Sequence, residues 1–236
     1  MFANFSSTEY RQTRIAYRNA IVLIRQAHYA LHDYITIGRQ STVSTGDRIR
    51  IENALFNSFY YFERNNSSYT RRNGTNSNNR FLRDYGYSID SISRNLNQLN
   101  RHATHYEVQR SWSDMDGDDF IRVYESSNDL NNVVNRIIAY SVRSRPHVHT
   151  DQRSREHGNI YLNSGFFTLS ADHQIGVIIH EMCHTVLRFG FSRTTPNSND
   201  TYMQDNGYDT MTLSQAIVNP DKYAQFILLL AERSLL

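Results

Sequence analysis

Cysteine is almost missing from this chain of 236 residues, where Cys183 stands alone. No intramolecular disulfide can form, which excludes a disulfide framework and a structural zinc site built from cysteines. Lysine is equally scarce: of 25 Lys and Arg residues, all but Lys222 are arginine. No run approaches the roughly 18 apolar residues needed to span a bilayer, so no membrane partner is expected. The opening Met1-Phe2-Ala3-Asn4-Phe5-Ser6 lacks the basic and apolar regions of a signal peptide. A cytosolic protein, export by a specialised route, and excision from a longer chain all fit that start. Histidine is absent after His184, a gap that matters below.

The residues that are present suit a water-exposed globular chain: 39% are hydrophobic and 20% charged, long enough for one large domain or two lobes. The net charge of +2 is ordinary, and the scattered arginines are balanced by 23 acidic residues. That pattern gives no reason to expect nucleic acid as a partner.

Helical periodicity predicts a first helix over 8–37, with Ile15, Ala16, Ala20, Val22, Leu23, Ala27, Ala30 and Leu31 inward and Gly38 ending it. A second helix is expected from Asp47 to about Arg64, with Ile51, Leu55, Phe56, Phe59 and Phe62 inward. A third is expected from Arg80 to about His102, after a loop rich in Asn, Ser, Arg and Gly over 65–79. Residues 1–105 thus read as a helical lobe. Alternating stretches at 120–124, 137–142 and 159–163 read as strands in 106–236, followed by a helix from Ser170 to near Gly190 and a last helix over 223–236. The two parts together are expected to make one compact α+β domain.

The chemistry concentrates in His180-Glu181-Met182-Cys183-His184. On a helix, positions i and i+4 share a face, so the imidazoles of His180 and His184 can bind one metal ion. Glu181 lies about 100° around the helix from His180, placed to hold a water as general base without ligating. Cys183 sits on the side turned away and reads as a small core residue rather than a nucleophile. The pentapeptide occurs by accident in many proteins, so its surroundings must decide.

A catalytic zinc takes three protein ligands and leaves one position for water. With no later histidine or cysteine, the pattern that ends in a third histidine is excluded. Glu232 is the only later glutamate, close to the end, where an exact ligand position would fray. Four aspartates remain: Asp200, Asp205, Asp209 and Asp221.

At this point the chain resembles the aspzincins, the deuterolysin and lysine-specific metalloendopeptidase family. Asp205-Asn206-Gly207-Tyr208 resembles the family's Asp-x-x-Tyr signature, Tyr161 to Leu169 its strand and aromatic pair, and Ala216 to Phe226 its closing segment. The likeness covers roughly residues 160–226. It implies a zincin-like α+β metallopeptidase with one catalytic zinc on His180, His184 and Asp205. It also implies Glu181 as base and Tyr208 as hydrogen-bond donor to the carbonyl under attack. Tyr202-Met203-Gln204 stands where the family carries Gly-Thr, and Asp209 where it carries Gly, so Asp200 and Asp209 stay open as ligands. The fungal members' disulfides have no counterpart.

The expected activity is zinc-dependent endopeptidase cleavage of a protein or peptide substrate. Residues 159–163, as an exposed edge strand, would pair with extended substrate. A non-catalytic metal-binding or partner-binding protein is the competing class, against which the intact Glu181 counts. Scarce lysine has a compositional explanation and two functional ones. It would spare a lysine-directed peptidase from itself, or hide a translocated bacterial effector or toxin from ubiquitin attachment. Such a toxin would call for a cognate inhibitor or immunity protein. His102, His105, His147, His149, the aromatic run 59–62 and the sequon at Asn73 read as surface or core features.

Overall fold

A computed structural model describes residues 2–3, 5–38, 44–60, 77–102, 107–110, 139–142, 159–189 and 207–233. Most of them are helical. In chain order they form β1 (Phe2–Ala3), α1 (Ser7–Gly38), α2 (Thr45–Ser58), α3 (Ser77–His102), β2 (Glu107–Arg110), β3 (Ala139–Val142) and β4 (Asn159–Leu162). A 3₁₀ turn over Ser164–Thr168 leads into α4 (Ala171–Met182), which continues as a π-helical turn over Cys183–Leu187. A second 3₁₀ turn (Tyr208–Thr210), α5 (Leu213–Ala216) and α6 (Pro220–Leu230) complete the set.

Helix α1 forms because Ala16, Ala20, Leu23, Ala27 and Leu31 recur at helical spacing, and all five are buried. Ile15 and Val22, expected inward, are each 49% exposed on the outer face. Each sits one residue before a member of the buried stripe, Ala16 and Leu23, where hydrophobicity alone misassigns the side. Helix α2 starts on Ser44, whose hydroxyl accepts the Asp47 N–H, and buries Ile51 and Leu55. Phe59 and Tyr60 follow it into the core. The strand expected at 120–124, Phe62, residues 65–76 of the loop expected over 65–79, the Asn73 sequon, His105, His147 and His149 lie outside the described residues, while 77–79 belong to α3.

The four short strands pair in the order β1-β2-β4-β3, with β2 parallel to β4 and β3 antiparallel to it. Strand β4 therefore has a partner on each side. The expectation of an exposed edge at 159–163 is corrected: β2 and β3, from distant parts of the chain, cover both edges of it.

One hydrophobic core runs from Ala16 of α1 to Leu230 of α6 and includes residues of α2, α3, β4 and α4. Helix α4 packs against α1 on one side and α6 on another, and α6 also packs on α2. Its buried Ile175, Ile178, Ile179 and Met182 supply that contact. Tyr223 pins α6 in place. Its hydroxyl donates to the Ile217 carbonyl (3.0 Å) and accepts from Asn95 Nδ2 of α3 (2.6 Å), while its ring lies edge-on to Phe59. Among the described residues no helix is long and apolar enough to cross a membrane.

Candidate metal centre

Helix α4 begins where the sequence places it. Ser170 Oγ accepts the His173 N–H, and Asp172 adds negative charge to the first turn. Gln174, buried, donates to the Phe166 and Leu169 carbonyls and fastens the preceding 3₁₀ turn to the helix. Arg233 closes on Asp172 at 3.0 Å.

The far end departs from a plain α-helix. The ladder widens to a π turn at Cys183–Leu187, and the chain leaves through Arg188 at φ 61°, a left-handed backbone without glycine. The helix thus ends before the expected Gly190. This exit delivers the Phe189 carbonyl to His184 Nδ1 at 2.8 Å.

His180, Glu181 and His184 are all buried, at 7%, 5% and 8% exposure. His180 Nδ1 meets Asp221 Oδ1 of α6 at 2.5 Å. A carbonyl oxygen carries no proton, so His184 Nδ1 must be the donor to Phe189. A carboxylate likewise accepts, so His180 donates to Asp221. Rings whose Nδ1 atoms donate turn their Nε2 atoms toward each other, and these lie 2.9 Å apart. Two lone pairs at that distance repel unless a proton or cation lies between them. A metal ion held by both Nε2 atoms would remove that repulsion. The donor set fits a metal, and the Asp221–His180 pair has the form of the carboxylate–histidine partnership found where an imidazole binds a metal.

The third ligand is not supplied by the described residues: no group of three His, Cys, Asp or Glu forms among them. Asp205 and Asp200 lie outside the described residues. Asp209 is described, exposed, on the turn that carries Tyr208. Glu232 is exposed in a left-handed cap at φ 56°, with the Arg233 N–H on the Leu228 carbonyl and its own N–H on Leu229.

Tyr208 is buried, and its hydroxyl donates to Gln225 Oε1 of α6 at 2.9 Å. Burial first, then Asp221 and Asp209, push its ionisation well above the usual phenol range, so it stays a neutral donor. Lys222, also buried, places Nζ 3.3 Å from the centroid of the Tyr208 ring. Burial pulls its ionisation down to about 8, against the opposing pull of Asp209 and Asp221, which leaves it charged at neutral pH. Cys183 is fully buried. Burial, Asp221 and Glu181 push its thiol up, as suits a core residue and not a nucleophile.

Asp221, Lys222 and Gln225 are the residues that sequence reasoning left without a role at the site. In the sequence Asp221 is one of four candidate aspartates, and Lys222 stands out by its rarity and its place in the closing segment. The Asn219-Pro220 start of α6, a strong N-cap and first-turn signal, puts both in the first turn of a helix. The sequence matches no protein-family model and no curated protein.

Proposed function

We propose that this chain is a zinc-dependent endopeptidase with a zincin-like α+β architecture, related to the aspzincins. The observation that carries the reading is the convergence of His180 and His184 Nε2 at 2.9 Å, with each outer nitrogen committed to an acceptor. Buried imidazoles fixed in one tautomer and aimed at a shared point are costly to a merely structural helix and useful to a metal.

In this reading His180, His184 and Asp205 hold the ion. When bound, zinc lowers the pKa of a coordinated water toward about 7 and polarises a carbonyl. Glu181, next to His180 on the same buried turn, takes the proton from the attacking water and passes it to the leaving amine. Asp221 keeps His180 in its tautomer and offsets the positive charge gathered there. Tyr208, a neutral donor in a dry setting, turns its hydroxyl from Gln225 to the carbonyl oxygen as charge develops on it. The expected partner is a protein or peptide substrate. Delivery as an effector or toxin, with a matching inhibitor, belongs to this proposal as its biological setting.

The test is Glu181→Gln. The variant should fold, bind zinc and lose cleavage of a labelled generic protein such as casein by at least about a hundredfold. Unchanged cleavage would refute the reading.

A further inference from the structure

Helix α6 touches the candidate site three times within five residues. Asp221 holds His180, Lys222 lies on the ring of Tyr208, and Gln225 takes the Tyr208 hydroxyl. Lys222 and Gln225 are three apart, so one face of one helical turn grips both the plane and the tip of the same side chain. The backbone of this turn is fixed in its turn. Asn219, itself buried, accepts the Lys222 N–H at 3.1 Å, Pro220 occupies the first turn, and Tyr223 ties the next residue to α3 and to Ile217.

The chain otherwise avoids lysine. Its single exception is 2% exposed and sits on an aromatic face. A buried ammonium is expensive unless something local compensates it. Here the compensation comes from the π face of Tyr208 together with the charges of Asp209 and Asp221. A compact ammonium fits a closed site over one ring, where the larger planar guanidinium used elsewhere in the chain would need more room.

We propose that Lys222 is a positioning residue for Tyr208, holding the ring by a cation–π contact and strengthening its hydroxyl as a hydrogen-bond donor. The contact draws electron density from the ring toward the ammonium, which makes the phenolic O–H a better donor without ionising it. Gln225 holds the same hydroxyl in a donating orientation until substrate takes its place. The inference rests on the endopeptidase reading above and adds a residue to it.

A double-mutant cycle tests it, with zinc-loaded protein and fluorescein-labelled casein as the probe. Lys222→Met should lower kcat by about 3- to 30-fold with KM little changed. In a Tyr208→Phe background the same substitution should have no further effect. Equal losses in both backgrounds, or no loss in either, would overturn the proposal, since Lys222 would then act on the fold alone or not at all. If Lys222→Met does not fold, Lys222→Gln replaces it, with the same cycle deciding. Failure of the underlying reading looks different: Tyr208→Phe would cleave as well as the parent, or Glu181→Gln would remain active.

Discussion

Asp221 Oδ1 lies 2.5 Å from His180 Nδ1, joining the start of the last helix to the first histidine of the motif across 41 residues of sequence. In the proposed zinc site this pairing makes Asp221 as much a part of the centre as a ligand would be. Asp221→Asn removes the negative charge and weakens the restraint on the ring, so zinc affinity should fall by about tenfold or more. Competition against a chromophoric chelator measures it, and unchanged affinity would show that the pair is only a structural ion pair.

In the proposed site Asp205 is the third ligand, and Asp205→Ala should remove it. Zinc content after dialysis should fall to a small fraction of one equivalent while the helical circular dichroism persists. Full occupancy in that variant would move the ligand to Asp200 or Asp209, which the same experiment on each would separate.

Lys222 ionises at about 8 in the folded chain and near 10.5 when free. Between those values the unfolded chain binds more protons, so folding stability rises with pH there. Below about pH 8 both states are protonated and the dependence vanishes. Relative to Lys222→Met, the parent should therefore gain about 1 kcal/mol between about pH 8 and 9. Urea midpoints at the two pH values check this, and a loss over that interval would contradict it.

Arg188 holds a left-handed backbone at φ 61°, where a side chain costs about 1 kcal/mol and glycine costs little. Arg188→Gly should stabilise the chain by about that amount and leave zinc affinity unchanged, because the Phe189 carbonyl keeps its position. Thermal melts decide. A weaker zinc site in this variant would mean the arginine itself shapes the exit.

Much of this was legible because the signals are local. Ser170 announced α4, helical spacing announced α1, α2 and α3, and the spacing of the motif put its two histidines on one helix face. What stayed hidden depends on partners far away in sequence. Strand β4 alternates like an edge strand, and only the pairing of 107–110 and 139–142 on its two sides makes it an inner one. The π turn leaves no mark on hydrophobic periodicity. Asp221 could not be told from its three fellow aspartates until α6 was set against α4. The one local signal passed over was Asn219-Pro220, which begins α6 three residues before the expected Tyr223 and so turns Asp221 and Lys222 from loop into first-turn residues.

The grip of α6 on His180 and Tyr208 also has a consequence for the order of synthesis. A ribosome completes the motif helix more than thirty residues before it reaches Asp221. During that interval the nascent chain carries both imidazoles and the glutamate, but neither the carboxylate that sets one ring nor the turn that seats the tyrosine. In the proposed enzyme the centre is therefore assembled last, and a chain halted short of α6 carries the motif without the residues that orient it.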